Sequence, residues 1–174
     1  YARSSVTLDN YLKKYGDLKM KFNLKNCISL ILLVGVIAVA GSCVVFAADA
    51  TLDDGSTFTI PTGFTLNSSS ETSMVSISNE ADGIFISVGS DAVKVTKDTW
   101  ADKGFTFKTE KNITLNGATT TEEQYDNSGV PFYVYYVTKE DTKYTIIVAM
   151  EDNADWNVQD TANPVNSIVK TLKA

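Results

Sequence analysis

The residues of this sequence that could carry out chemistry are mainly carboxylates in adjacent pairs. Glu122 precedes Glu123, and Glu140 precedes Asp141. A glycoside hydrolase uses two carboxyl groups that flank the sugar, one of them with a raised pKa. These four acids are therefore the candidates for a carboxylate-based glycan hydrolase. Solvated turn charges that keep an exported protein soluble explain the same pattern without catalysis.

Residues 151–157 suggest a calcium site, because Ca²⁺ takes oxygen ligands and this segment is rich in Asp, Asn and Glu. The segment lacks the glycine and the bidentate glutamate that an EF-hand loop places at fixed positions. A turn before a helix is the simpler interpretation. Calcium-dependent adhesion stays open as an alternative function.

Aromatic residues form a third candidate site. Tyr133 and Tyr135 alternate on one strand, and tyrosine presents an apolar ring with a polar tip, which suits contact with sugars or peptides. The alternative is that these rings belong to the core of a sheet. Two sequons, at Asn67 and Asn112, are candidate N-glycosylation sites on the outer face of a membrane.

The composition excludes several kinds of site. The chain of 174 residues has no His, and its two cysteines, Cys27 and Cys43, both precede residue 48. Residues 48–174 therefore cannot form a Ser-His-Asp triad, a Cys-His nucleophile, a zinc site or a disulfide. Nineteen acids against nine Lys and no Arg give this part a net charge of −10, which is unsuited to nucleic acid. We expect no cofactor.

Residues 1–47 have the opposite charge, with six basic and two acidic residues that give +4. From Cys27 to Ala48 run twenty-two residues without a charge, preceded by Lys21 and Lys25. A basic region, an apolar region and small residues at its end are typical of a secretory signal. We predict a signal peptide or signal anchor over residues 20–47. Residues 1–19 are interpreted as a disordered upstream extension, since the natural start is Met20.

The predicted signal helix allows three outcomes of export. Cleavage between Ala47 and Ala48 would release the protein outside the cell. An uncleaved segment of this length would span the bilayer as an anchor. Residues 40–43 also resemble a lipobox, in which Cys43 would be lipidated, although Ala40 stands where leucine is usual. The sequence does not choose between release and anchoring.

Residues 48–174 are rich in Thr, Ser and Asn, and their apolar residues fall in short alternating runs that favour strands. Asn116-Gly117 is a strong hairpin signal. Asn163-Pro164 marks the start of a last helix with an apolar stripe. These patterns predict one α+β domain in which an antiparallel meander carries a short mid-chain helix and a C-terminal helix. The predicted strands are residues 57–60, 74–79, 84–89, 105–115, 118–126, 130–138 and 143–150, and the mid-chain helix is 96–103.

The order of these elements resembles the Mog1/PsbP-like α/β/α sandwich family. Residues 58–64, FTIPTGF, are similar to the family's opening strand and Pro-x-Gly-aromatic turn, and residues 168–172, IVKTL, resemble its closing helix. The resemblance implies the fold and a non-enzymatic role, because the family has no shared catalytic residues. Its members bind partners such as a small GTPase or a photosynthetic membrane complex, but no residue here carries over either specificity.

The sequence as a whole predicts an exported, non-catalytic binding domain of the cell surface. Its partner is expected to be a protein or a cell-surface glycan. Contact with a membrane is expected only through the N-terminal segment.

Overall fold

The structure, a computed structural model, describes residues 48–67, 74–90, 94–151 and 156–174. The predicted signal segment, its Cys43 and Ala47, and residues 1–19 lie outside these ranges. Within them the chain forms strands and helices in the following order: β1 Asp49–Thr51, β2 Thr57–Thr59, β3 Thr65–Asn67, β4 Met74–Asn79, β5 Ile84–Ser90, α1 Lys97–Asp102, β6 Thr106–Leu115, β7 Ala118–Asn127, β8 Val130–Lys139, β9 Thr142–Met150 and α2 Pro164–Thr171.

A seven-stranded antiparallel sheet is the centre of the fold. Its strand order is β3-β4-β5-β9-β8-β7-β6, so β9 is the middle strand and β6 is an edge. Strand β8, which is apolar on both sides, lies in the interior as its sequence predicts. Strands β1 and β2 form a separate two-stranded sheet.

Two-residue turns join the strands of the meander and set their register. Asn116 and Gly117 have φ of 48° and 82°, and Glu140 and Asp141 have φ of 50° and 65°. Two successive positive φ values are the mark of the type I′ turn, whose twist matches that of the strands it connects. The hairpin prediction at Asn116-Gly117 is therefore confirmed in detail.

One face of the sheet, called the α2 face, is covered by α2 and the β1–β2 pair. Helix α2 begins with Asn163, whose side chain accepts the Val165 N–H, and Pro164 occupies its first turn. Val165, Ile168 and Val169 of this helix join the sheet residues in the larger apolar core. Lys139 fixes the far end of α2, because its ammonium donates to the carbonyls of residues 169, 170 and 172.

The opposite face, called the α1 face, holds a smaller core beside the short helix α1. Thr96 caps this helix by accepting the Thr99 N–H. Trp100 lies against a group of aromatic rings on β7, β8 and the residue that precedes β6, with centroid separations of 5.1 to 5.5 Å: Phe105, Tyr125 and Phe132. Trp100 is thus the main apolar attachment of α1 to the sheet.

These elements confirm the predicted α+β fold with its meander, mid-chain helix and C-terminal helix. No helix among the described residues is long and apolar enough to cross a membrane.

Candidate functional site

The adjacent glutamates of β7 do not form a catalytic pair. Successive residues of a strand point to opposite faces of the sheet, so the carboxylates of Glu122 and Glu123 cannot converge on one sugar. Each is buried and pairs with a lysine: Glu122 with Lys111 at 2.9 Å and Glu123 with Lys94 at 2.8 Å. Both are thus held as ion-paired carboxylates.

The other two candidate acids lie elsewhere. Glu140 and Asp141 are exposed in the β8–β9 turn, which lies five residues along β8 from Tyr135, the partner of Glu122. At about 3.3 Å per residue this separates the turn from the β7 glutamates by roughly 16 Å. The four acids that the sequence proposed for glycan hydrolysis therefore do not share one site.

The calcium prediction falls largely outside the described residues, since 152–155 are among those not described. In the part of the chain that the structure describes, no group of three or more acidic or cysteine side chains is placed to hold a metal ion.

The predicted aromatic contact surface is wrong, because both rings are buried. Tyr133 is 6% exposed and Tyr135 is 0% exposed, and their rings stack at 6.3 Å on the α2 face. The indole N–H of Trp156 donates to the Tyr135 hydroxyl at 2.8 Å, and the Gln124 amide donates to the Tyr133 hydroxyl at 3.3 Å. These hydrogen bonds satisfy the polar tips of two core residues.

The two sequon asparagines, Asn67 and Asn112, lie on different strands. Asn67 ends β3, where its side-chain oxygen accepts the Ser78 hydroxyl. Asn112 is exposed on β6, and its side-chain oxygen accepts the Thr121 hydroxyl at 2.8 Å. Glycosylation at either residue stays a prediction, as does cleavage before Ala48, which is the first described residue and is exposed.

The edge strand β6 is the most open element of the sheet. Eight of its ten residues are exposed, and the other two are Ile113 and Leu115. A bulge between Phe107 and Thr109 interrupts its pairing with β7, after which the ladder from Thr109 to Leu115 is regular. An exposed edge of this length offers unpaired backbone groups to another chain.

Lysines surround this edge in an otherwise acidic protein. Five of the nine lysines of residues 48–174 lie between residues 94 and 111. The side chains of Lys94 and Lys111 are 50% and 55% exposed, whereas their partners Glu123 and Glu122 are 0% and 6% exposed. Lys97 is 44% exposed and pairs with Glu110, whose side chain is 35% exposed. Because the carboxylates of Glu122 and Glu123 lie inside and their lysines outside, each of these two pairs presents its positive end to solvent. We call Lys94, Lys97, Lys108 and Lys111 the lysine rim.

Ion pairing holds three of these lysines in place, since Lys94 and Lys97 bind glutamates on the α1 face in addition to the pair of Lys111 with Glu122. Lys94 hydrogen-bonds Glu123 and lies 3.8 Å from Glu110, and the Glu123 hydrogen bond raises the pKa of Lys94. Lys97 hydrogen-bonds Glu110 at 2.9 Å, and this contact lowers the pKa of Glu110.

An aromatic ring is also accessible at this edge. Phe107 is 38% exposed and packs edge-on against Tyr125, with centroids 5.7 Å apart. The Lys97 ammonium lies 3.9 Å from the centre of the Phe107 ring, a cation–π contact. The edge therefore combines free backbone, positive charge and one apolar ring.

No protein-family model matches the chain, and no curated protein matches it. Among solved structures, it is similar to cyanobacterial PsbP (CyanoP) from Synechocystis sp. PCC 6803, determined in solution. The sequence identity is 14%, the TM-score is 0.44, and the match covers 77% of this chain and 98% of that one.

The buried tyrosines give a pH prediction. Burial raises the pKa of Tyr136 to about 12, and burial also raises the pKa of Tyr125 and Tyr135. The unfolded chain loses these protons near pH 10, so the stabilisation is complete below about pH 10 and decreases as the pH rises above it. Phenolate absorbance, followed with circular dichroism, should show all three tyrosines ionising above pH 10, Tyr125 and Tyr135 only as the fold is lost. In Tyr125→Phe the delayed component should shrink, and ionisation of all tyrosines near pH 10 in the folded chain would contradict the prediction.

Proposed function

We propose that the protein is an exported, non-catalytic interaction domain that binds a partner at the cell surface through the β6 edge and the lysine rim. The observation that carries this proposal is the cationic, largely exposed edge strand on a body with a net charge of −10. A rim of one sign on a body of the other orients an approaching partner and disfavours wrong ones.

The non-catalytic part of the proposal is supported by how the acids are used. The two glutamates of β7 neutralise lysines, and Glu123 also accepts the Tyr125 hydroxyl at 2.7 Å. Without His in the chain and with both cysteines before residue 48, residues 48–174 cannot form a Ser-His or Cys-His nucleophile pair.

Export is supported by the sequence of residues 20–47, and its outcome has a direct test. Cells are fractionated and the N-terminus of the protein is identified by mass spectrometry. Ala48 in the medium would mean release, acylated Cys43 would mean a lipoprotein, and Met20 in the membrane fraction would mean a signal anchor. Recovery of the protein in the cytoplasm alone would contradict the proposal.

Site-directed photo-crosslinking tests the binding surface. A photo-crosslinking amino acid is placed at Lys108 of the full chain, and a matched control carries it at Lys143, an exposed lysine at the start of β9. In intact cells, we expect a crosslinked product from position 108 that is absent or much weaker from position 143. Equal products from both positions, or none from position 108, would count against the β6 edge as the binding surface.

A further inference from the structure

Alternate residues of β6 direct their backbone groups away from β7. In a two-residue hairpin the pair next to the turn, here Leu115 and Ala118, exchanges both backbone hydrogen bonds, and this pattern then alternates along the antiparallel ladder. By this count Glu110, Asn112 and Thr114 belong to non-hydrogen-bonded pairs, so their N–H and C=O groups point outward. They form a regular row beyond the bulge at Phe107 and Thr109.

A second copy of this chain is poorly suited to pair with the outward backbone groups of Glu110, Asn112 and Thr114. Two copies paired antiparallel about a twofold axis at Lys111 would place lysine opposite lysine, and pairing about Glu110 would place glutamate opposite glutamate. Pairing about Asn112 avoids both, but Lys111 then faces Ile113. In no register does Lys111 face Glu110, because the two belong to alternate positions of the ladder. Self-pairing therefore gains no opposite-charge contact in this row. Like charges directly opposite each other destabilise a strand pair. The bulge at the start of β6 further limits edge-to-edge association.

The charge around the row favours an acidic occupant. Lys111 remains 55% exposed despite its ion pair, and Lys108 is exposed beside the bulge. On the α1 face, the side chains of Lys94 and Lys97 are about half exposed, while their ammonium groups bind Glu123 and Glu110. A strand added to β6 would therefore have lysines along both of its faces.

We propose that β6 binds an extended acidic peptide segment of a partner protein, which adds antiparallel or parallel to Glu110, Asn112 and Thr114 as an eighth strand of the sheet. This inference rests on the proposed function, because it names the partner class of the same surface. Backbone hydrogen bonds supply affinity in strand addition, and side-chain contacts supply the preference for sequence. Here the lysine rim supplies the preference for acids.

The test uses the full chain in mild detergent and a fluorescent peptide of alternating Glu and Val, about as long as β6. A peptide of alternating Lys and Val is the charge control. Asn112→Pro removes the outward N–H while leaving the inward bonds of β6 in place, since proline is tolerated on an edge whose N–H faces solvent. Asn112→Ala is the matched variant, because it removes the same side chain and keeps the N–H.

We expect anisotropy to show saturable binding of the acidic peptide, weaker or absent binding of the basic peptide, and about tenfold weaker binding to Asn112→Pro than to Asn112→Ala. Thr114→Pro against Thr114→Ala repeats the comparison if Asn112→Pro does not fold. Equal affinity of the proline and alanine variants would overturn strand addition. Equal binding of both peptides would overturn the acidic partner.

Inorganic polyphosphate is the remaining probe. If it binds the chain while the acidic peptide binds Asn112→Pro and Asn112→Ala with equal affinity, the surface is a general polyanion site, and strand addition is wrong. A crosslink from position 108 in cells combined with failure of all peptide assays would leave the interaction domain standing and remove only this inference. Absence of that crosslink would count against the proposed function itself.

Discussion

Trp100→Ala should lower the free energy of unfolding by about 3 kcal/mol, the lower part of the range for truncating a packed tryptophan, because the side chain is only partly buried. Its ring contacts three aromatic residues on the α1 face: Phe105, Tyr125 and Phe132. Helix α1 has six residues and none of them is fully buried, so the helix is too short to be stable without this attachment. Urea denaturation measures the change.

Trp100→Phe is the matched control for this prediction. It keeps an aromatic ring in the cluster and should cost clearly less than the alanine variant, since most of the packing area remains. The backbone amides of residues 94–104 should exchange hydrogen faster in Trp100→Ala. This segment begins with lysines whose position depends on α1. A cost below about 1 kcal/mol would mean that α1 is held by contacts other than Trp100.

Local signals in the sequence were sufficient for most of the fold. Positive-φ turns such as Asn116-Gly117 and the cap at Asn163 are encoded by residues in direct succession, so their elements are visible in one segment of chain. Strands β1 and β3 were not predicted. Each has three residues, and β1 exists through its partner β2, which in turn pairs with Lys173 near the end of the chain. Such long-range pairing leaves no local pattern.

The candidate site was harder to predict than the fold. Alternation showed that β8 is apolar on both sides, but it could not show that the Tyr133 and Tyr135 rings are covered, because Trp156 comes from a distant segment. The sequence alone could have excluded Glu122 and Glu123 as a catalytic pair, since adjacent residues of a strand cannot share a face. The lysine rim also left a signal: lysines concentrate between residues 94 and 111, and β6 is polar on both sides, as an edge strand is.

The largest electrostatic effect should come from removing the more exposed partner of an ion pair. Lys94→Met should lower the free energy of unfolding by about 3 kcal/mol, because it leaves the fully buried Glu123 carboxylate without its cation. The value lies at the low end for breaking a buried pair, since the half-exposed position of Lys94 lets water take part of its place. Urea denaturation at neutral pH measures this loss.

Removing the charge of the buried partner should cost less. In Glu123→Gln the side-chain carbonyl can still accept the Tyr125 hydroxyl, and Lys94 can turn to water and to Glu110, so we expect a loss of about 1 kcal/mol. The double variant removes both charges and should therefore be more stable than Lys94→Met alone, although it carries one more substitution. Additive losses in this double-mutant cycle would show that Glu123 does not depend on Lys94. Recovery of stability in the double variant would show that the buried Glu123 carboxylate requires a cation. It would also show that Glu123, below the surface, holds Lys94 of the lysine rim in place.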